Sequence, residues 1–254
     1  MSALFHTIFF QPIFNVLIWL YASLPYKDIG IAIIILTLLV KVITYPLALM
    51  QIKQQREMQE LQPKIDEVRT RLKDDQDAQA KELMELYKKE KVNPAAGCWP
   101  LLVQIPIFIA LYQALRVGLN AGGYGDLYAF VPTPTSIQTM FLGIFDLTKP
   151  NYVLAVLAGL VQFFQTKHIL KPPAATVTPP PSDVAASTGA KDESMAAMMN
   201  KQMTYVMPLM TVFIGISLPG GLTLYWLTMS ALTLLQQVYV LRRMPPKIEP
   251  QLKG

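Results

Sequence analysis

One lysine lies inside a long apolar stretch near the start of the chain. Residues 31–50 read IAIIILTLLVKVITYPLALM, with Lys41 near the middle. Such a stretch can cross a bilayer, because about 20 apolar residues at about 1.5 Å each match a hydrocarbon core of about 30 Å. An ammonium group there costs about 2.5 to 3.5 kcal/mol on insertion scales, which makes Lys41 a candidate functional residue. The chemistry it offers is electrostatic attraction of carboxylates.

Other polar side chains in the apolar segments follow helical spacing. Thr37, Lys41 and Thr44 are four and three residues apart and share one face of a helix. Polar groups buried in hydrocarbon need partners or water, which favours one hydrated cavity onto which the polar faces converge. The predicted cavity residues are Lys41, Thr37, Thr44, Gln104, Ser230, Thr233 and Gln237.

Composition assigns the chain to a class. Apolar residues make up 52% of its 254 residues and charged residues only 15%, so there is more apolar surface than a soluble chain of this length buries. We therefore predict an all-α polytopic membrane protein. The net charge of +5 suits contact with anionic lipid headgroups, and no direct nucleic-acid partner is expected. Because the chain has one cysteine and no Cys/His cluster at metal-ligand spacing, we expect no metal and no other cofactor.

Five apolar segments predict five transmembrane helices, of which the third and fourth are short. They occupy residues 29–50, 97–117, 151–167, 203–218 and 219–241. Before them, residues 1–28 are predicted to form an extracytoplasmic tail and an amphipathic helix in the membrane interface. The reason is that Thr7, Gln11 and Asn15 recur every four residues as a polar stripe that faces water. A sixth transmembrane helix is the alternative for this segment.

Basic residues predict the orientation of the chain in the membrane. If residues 51–93 are cytoplasmic, 18 lysines and arginines lie on that side and three on the other, with Lys41 between them. By the positive-inside rule the N-terminus is then outside and the C-terminus is in the cytoplasm. Most polar residues of the apolar segments fall in their inner halves, so we expect the cavity to open toward the cytoplasm. The same arrangement puts Lys41 about ten residues from the inner end of its helix, too deep for its stem to reach the interface.

The segments between the apolar stretches have distinct predicted structures. Residues 51–96 show helical periodicity on both sides of KDDQD and predict a cytoplasmic helical hairpin, disturbed near Pro63. Residues 118–150 are predicted to form an extracytoplasmic loop and 242–254 a short basic cytoplasmic tail. Residues 168–202 read as a disordered cytoplasmic loop, Pro-rich and then Met-rich, because little in them could be buried.

Methionines at helical spacing lead into the fourth apolar segment, at the predicted inner edge of the membrane. They include Met195, Met198, Met199 and Met203. A flexible, polarisable methionine stripe is typical either of adaptable packing or of a surface that binds varied apolar partners. The sequence leaves both interpretations open.

The apolar segments lack the features of two other classes of membrane protein. A small-molecule or proton-coupled transporter, the main alternative, usually has repeated halves and intramembrane carboxylates, and the segments have neither. An intramembrane protease needs a nucleophile paired with a base, but Ser230 has no histidine on any apolar segment to activate it. We therefore expect no enzymatic activity.

Four stretches resemble one known family. They read VKVITYPLALMQ from Val40, LQPKIDEVRTRLKDD from Leu61, LYKKEKVNPAAGCWPLLVQIPIFIALYQAL from Leu86, and MPLMTVFIGISLPGGLTLYWLT with LLQQVYVLRR toward the C-terminus. The sequence is similar to the YidC-type membrane protein insertases, which are related to the mitochondrial Oxa and thylakoid Albino proteins. The third stretch is long enough to be highly specific.

The resemblance implies a fold and a function. The fold is a five-transmembrane-helix core with an N-terminal interfacial amphipathic helix, a cytoplasmic helical hairpin and a hydrophilic groove in the inner leaflet that carries one cation. The function is insertion and assisted folding of newly made membrane proteins, alone or together with the Sec translocon, with the hairpin and the Met-rich segment receiving clients. The family's groove cation is typically arginine, and its position falls on Lys41, which keeps the charge but loses the planar fork.

The resemblance also implies partners and a location. The partners are nascent membrane proteins, the lipid bilayer, the Sec translocon and, because the basic tail is short, only weakly the ribosome. The sequence has no pattern of a transit peptide, which favours a bacterial plasma membrane over an organelle.

Overall fold

A computed structural model describes residues 3–93, 99–119, 124–169 and 202–243. For residues 99–101, 119, 169, 202 and 203 the backbone alone is described. Helices make up most of this part of the chain, and a short antiparallel β pair accompanies them, so the predicted all-helical class is confirmed at that level.

The first helix, α1, runs from Ala3 to Ser23. It consists of α-helical Ala3–Phe5, a π-helical turn His6–Phe10 and α-helical Gln11–Ser23. One face, which includes Phe14, Leu17 and Ile18, is buried in the main hydrophobic core. The opposite face exposes apolar side chains such as Leu4, Ile8 and Trp19. Because the apolar residues occupy both faces, α1 suits an apolar environment on its outer side.

The prediction that the polar stripe of α1 faces water is wrong for Asn15, whereas Gln11 is partly buried and Thr7 is exposed. Asn15 is only 2% exposed, and its amide nitrogen donates to the carbonyl oxygens of Gln11 (2.8 Å) and Asp126 (2.9 Å). Its amide oxygen accepts from the N–H of Tyr128 at 2.6 Å, and Gln11 Nε2 also donates to the Asp126 carbonyl, at 3.2 Å. Asn15 and Gln11 instead satisfy the backbone of the loop at residues 124–128, which needs hydrogen-bond partners when it packs on a helix.

The next apolar segment is two helices and not the single helix predicted for residues 29–50. Helix α2 spans Ile29–Ile43, and helix α3 spans Tyr45–Arg71 at an angle of 68° to it. The break falls at Thr44, directly before Tyr45 and Pro46. Pro46 has no N–H to donate to the Val42 carbonyl four residues earlier, so the hydrogen-bond ladder of the first helix ends and a new helix begins with proline in its first turn.

Helices α3 and α4, which spans Gln76–Lys89, form the predicted helical hairpin. Leu61, Ile65 and Val92 are buried between them, with Met58, Leu83, Leu86 and Tyr87 packed around. Ion pairs also join the two arms, from Lys64 to Glu90 at 2.5 Å and from Arg71 to Glu82. The expected disturbance at Pro63 is absent, because α3 continues through it. Proline removes only one hydrogen bond of the helix ladder, and the packing of the neighbouring Leu61 and Ile65 offsets that loss.

Four further apolar helices complete the described part of the chain. Helix α5 spans Trp99–Leu119 and α6 spans Tyr152–Ile169. A π-helical turn, Gln202–Val206, leads into α7, which spans Met207–Gly215. The last helix, α8, spans Gly220–Arg243. Where they are described, these bounds lie within a few residues of the predicted segments. By length and composition, α1 and α8 could each cross a membrane, and the bent pair α2–α3 could count as a third span. The number of helices that cross the bilayer stays a prediction.

Small residues allow α6 and α7 to pack closely. A Cβ added to Gly159 would lie 2.3 Å from Val212 Cγ2, and one added to Gly215 would lie 3.0 Å from Ala155 Cβ. A second link between these helices is polar, because the Thr211 hydroxyl donates to Gln162 Oε1 at 2.6 Å. Close backbone approach and interhelical hydrogen bonds are the interactions that hold helices together in lipid.

A short β pair closes one end of the helices. Strands β1, Met140–Phe141, and β2, Phe145–Asp146, pair antiparallel. Asp28 caps α2 by accepting from Gly30 N (2.7 Å) and Ile31 N (3.2 Å), and its second oxygen accepts from Leu142 N (2.7 Å). One buried carboxylate therefore fixes both the start of α2 and the β pair.

The start of α8 is fixed to the same end. The N–H groups of Gly220 and Gly221 donate to the carbonyls of Lys149 (2.8 Å) and Leu147 (3.0 Å). Asp146 accepts from the Thr148 hydroxyl and N–H, and these hydrogen bonds lower the pKa of its carboxyl. Residues 139–149 thus lie across the ends of α2 and α8.

Gly30 tests how tightly this end is packed. A Cβ at Gly30 would lie 2.2 Å from Phe141 Cδ2, so Gly30→Ala must displace a buried ring. Overpacking of this kind costs about 1 to 3 kcal/mol, and we expect a lower midpoint in thermal unfolding of the detergent-solubilised protein. Gly125→Ala is the matched control, because nothing lies within 4 Å of a Cβ there. Equal midpoints for the two variants would contradict the packing described for Phe141.

Candidate functional site

Lys41 lies against helix α8. Its ammonium nitrogen donates to Thr233 Oγ1 at 2.9 Å, and the side chain is half-buried. Within residues 3–93, 99–119, 124–169 and 202–243, no carboxylate lies within 4.0 Å of this nitrogen. The cation is therefore hydrogen-bonded but not neutralised by any described side chain, so it keeps its attraction for an incoming anion.

The position of Lys41 along its helix differs from the prediction. It lies in the last turn of α2, two residues before the helix ends at Ile43, and not ten residues from the inner end. The depth of Lys41 relative to the membrane interface stays a prediction, because α2 and α3 together can form one bent span. A cation in the last turn also lies near the partial negative charge of the helix C-terminus, which stabilises it.

The two threonines on the face of Lys41 have different surroundings. Thr37 has no exposed surface and donates to the Ile33 carbonyl at 2.6 Å, so its hydroxyl is satisfied within α2. Thr44 is partly exposed at the bend and donates to the Val40 carbonyl at 2.8 Å. Thr44 thus lies next to Lys41 at the break, whereas Thr37 belongs to the packed interior.

Helix α8 carries the remaining polar line. Ser230 and Gln237 are buried, and Thr233 lies between them, where it accepts from Lys41 and donates to the Met229 carbonyl at 2.7 Å. Gln237 Oε1 and both amide atoms of Gln236 are buried and accept or donate no hydrogen bond among the described residues. Buried amides of this kind usually bind water or a ligand, so this part of α8 has unused hydrogen-bonding capacity.

Gln104 meets α8 nearer its start. Its Nε2 donates to the hydroxyl oxygen of Tyr225 in a short contact. Tyr225 and Thr233 are eight residues apart on α8, about 12 Å of rise. Helices α2 and α5 therefore each bring one predicted polar residue to α8.

The structure brings together only part of the predicted set. Lys41, Thr233, Ser230 and Gln237 share the α2–α8 region, and Gln104 lies on the same helix α8 through Tyr225. Sequence reasoning missed Tyr225, since a tyrosine in an apolar run is usually counted as apolar, although its hydroxyl needs a partner when buried. The predicted client-receiving methionines Met195, Met198 and Met199, and the side chain of Met203, lie outside the described residues.

Metal chemistry has no support in the described part of the chain. The residues with described coordinates include no group of three or more His, Cys, Asp or Glu side chains that could hold a metal ion. What the arrangement offers is one cation and several amide and hydroxyl groups among apolar helices.

The fold and these groups define a polytopic helical membrane protein with polar groups on facing helices. Its sequence matches the family described as the 60Kd inner membrane protein over residues 19–247. The chain belongs to this family, the YidC family that its sequence resembles, and it is a multi-pass inner-membrane protein.

Relatives in two bacteria carry the name membrane protein insertase YidC. The one from Brucella melitensis biotype 1 is 35% identical over 256 residues, which cover 96% of this chain and 37% of the relative. The one from Fusobacterium nucleatum subsp. nucleatum is 36% identical over 216 residues, which cover 85% of this chain and 87% of the relative. The chain therefore spans little more than a third of the Brucella protein but most of the Fusobacterium protein.

A solved structure is also similar. It is described as an active YidC insertase crystal structure with the first transmembrane domain resolved, and it matches with a TM-score of 0.57 at 27% sequence identity. The match covers 91% of this chain and 46% of that one.

Tyr225 supports the site through Gln104. We expect Tyr225→Phe to lower the free energy of unfolding by about 0.5 to 2 kcal/mol, because it leaves the Gln104 amide without its acceptor among apolar helices. Thermal unfolding in detergent would measure this loss. Tyr239→Phe is the control on the same helix, since the Tyr239 ring contacts Arg243 and phenylalanine keeps that ring. A Tyr225→Phe midpoint equal to that of the control would mean that the hydrogen bond does not matter.

Proposed function

We propose that the protein inserts newly made membrane proteins into the bilayer and helps them fold, through a hydrophilic groove that is open to the cytoplasm and carries Lys41. Membership of the YidC family supports this function. The observation that supports a groove with an available charge is the hydrogen bond from Lys41 to a neutral partner, Thr233, on the facing helix. A cation whose described partner is a hydroxyl can exchange it for a carboxylate at little cost, because it leaves no counter-charge behind.

The physical problem for a client is its polar segment. Each unpaired polar group that enters hydrocarbon costs several kcal/mol, so a polar tail attached to an apolar helix crosses slowly. A polar groove that reaches part of the way through the membrane shortens the apolar barrier. The amide group of Gln236 and the amide oxygen of Gln237, which have no described partner, would form hydrogen bonds with such a segment along this path.

Lys41 would act on the charge of the client. It attracts acidic residues of the client's extracellular segment into the groove. A membrane potential that is positive outside then favours their onward transfer by about 2.3 kcal/mol per charge per 100 mV. This account needs no nucleotide hydrolysis.

The client's apolar helix would leave sideways into lipid along α6 and α8. Helix α6 supports this route because Val153, Val156, Leu157, Leu160 and Phe164 are exposed and recur at helical spacing. An apolar helix that slides along this face exchanges one apolar contact for another. The transfer therefore carries little free-energy cost of its own.

The remaining parts of the proposal concern orientation and partners. The N-terminus lies outside and the C-terminus in the cytoplasm, so the hairpin of α3 and α4 and the Met-rich segment, with Met195, Met198, Met199 and Met203, face newly made clients. The protein works alone or beside the Sec translocon. Weak contact with the ribosome also belongs to the proposal.

The charge of Lys41 is the first test of the proposal. In cells depleted of their own insertase, we expect Lys41→Ala to reduce insertion of a client with an acidic extracellular tail by tenfold or more. Lys41→Arg should retain insertion, because it keeps the charge. Pulse-labelling followed by protease protection of the client tail measures insertion.

Two controls make this result specific. Lys149→Ala removes an exposed lysine from the opposite end of the helices and should have no effect. A client with a neutral tail should be inserted equally well by the Lys41→Ala variant. Normal insertion of the acidic client by Lys41→Ala would refute the electrostatic step.

Contact between client and groove is the second test. A photo-cross-linking amino acid at Lys41, Gln104 or Ser230 should form adducts with a short nascent client that is stalled during translation. The same amino acid at Thr133, an exposed residue of the loop before β1, should give no adduct at the same chain length. Adducts at Thr133 alone would place the client on the wrong face of the protein and would contradict the proposed path.

A further inference from the structure

The turn between β1 and β2 exposes apolar side chains. Leu142 is 59% exposed and Ile144 is 68% exposed, although Phe141 directly before them is buried. We define Leu142, Gly143 and Ile144 as the hairpin tip. Single exposed apolar residues are common on proteins, so the tip needs further observations to indicate a function.

The backbone of the tip is unusual for its sequence. Leu142 and Gly143 have φ of 52° and 71°, and Ile144 N donates to the Phe141 carbonyl at 3.0 Å. Phe141 pairs with Phe145, so three residues connect the strands, and they contain a β-turn with positive φ at both central residues, where asparagine followed by glycine is preferred. Leucine is unfavourable in this conformation. An exposed leucine at such a position contributes neither to the turn nor to the core, which indicates that its side chain contacts something else.

The tip lies at the N-terminal ends of two apolar helices, α2 and α8. Leu142 N is held by Asp28, the residue that caps the first turn of α2, and Phe141 packs on Gly30 in the same turn. The chain after β2 is held by the first residues of α8. The tip therefore lies at the level where two apolar helices begin, which in a membrane protein is the boundary between headgroups and acyl chains.

Neighbouring residues at this level have the composition of a membrane interface. Tyr26, two residues before Asp28, is 83% exposed, and Tyr152 at the start of α6 is 70% exposed. Tyrosine is enriched at membrane boundaries, where its ring is in an apolar layer and its hydroxyl is hydrated. The exposed apolar surface also continues from Tyr152 into Val153 and Val156 of α6.

We propose that the hairpin tip inserts into the lipid leaflet at the N-terminal ends of α2 and α8 and anchors the loop of residues 124–149 to the bilayer surface. Leu142 and Ile144 enter the upper acyl region, while the backbone of the tip stays hydrogen-bonded to Asp28. This anchor is independent of the path that a client takes.

The test measures the depth of the tip in a bilayer. Cys98 is the only cysteine of the chain, so Cys98→Ser gives a background for single labels. A nitroxide spin label is attached to Leu142→Cys or Ile144→Cys, and the full chain is reconstituted in phosphatidylcholine vesicles. The label is then relaxed by oxygen, which concentrates in acyl chains, or by a polar nickel chelate, which stays in water. Gln138→Cys is the control, because Gln138 is exposed in the same loop and its N–H donates to Tyr21.

We expect the ratio of oxygen to nickel accessibility at both tip positions to exceed that at Gln138 by about threefold or more, because apolar oxygen partitions with the acyl chains. A tip ratio equal to that at Gln138 would overturn the proposal. Spin–spin broadening between labels on separate molecules would also overturn it, since the tip would then contact a second copy. If Cys98→Ser does not give a monodisperse protein in size-exclusion chromatography, Cys98→Ala provides the background. The labels at Leu142 and Ile144 are measured in separate variants, so each tests the proposal independently.

Discussion

The structure depends on one constraint, which is that polar groups among apolar helices need a partner. Lys41 satisfies it with a hydroxyl, Thr233, on the facing helix, and the partner is neutral. Had the partner been a carboxylate, the two charges would have formed a closed pair with little attraction for a third group. The interaction between α2 and α8 therefore positions the cation and leaves its charge available, and the proposed insertion mechanism uses both properties.

The break between α2 and α3 determines the position of Lys41 along its helix. Pro46 ends the apolar helix at Thr44, and the chain continues at 68° into the charged helix of the hairpin. As a result Lys41 lies in a last helical turn next to a change of direction, where the helix dipole favours it. The same break connects α3, the first arm of the hairpin, directly to the helix that carries the cation.

The opposite end of the molecule is held by backbone hydrogen bonds to buried polar side chains. Asp28 joins the start of α2 to β1, and Asn15 joins α1 to the loop at residues 124–128. Each side chain satisfies several backbone groups that would otherwise be buried without partners. The polar side chains at this end are therefore paired, whereas one helical turn beyond Thr233 the amide groups of Gln236 and the amide oxygen of Gln237 have no described partner.

The sequence by itself determined the membrane class, the approximate bounds of α5 to α8 and the helices on both sides of KDDQD, because hydrophobic period is a local signal. A lone charge in an apolar run also marked Lys41 as a candidate. The sequence also carried the family resemblance. Only the tertiary structure decided that Asn15 is buried, that Tyr225 accepts from Gln104 and that Lys41 meets Thr233. The physical reason is that helical spacing gives the direction of a polar side chain but not what lies opposite it, since water and the backbone of a distant loop satisfy the same amide equally well. The bend at Thr44 was decided partly by the sequence and partly by the tertiary structure. Pro46 marks a break locally, but whether the helix bends or ends there depends on the packing around it.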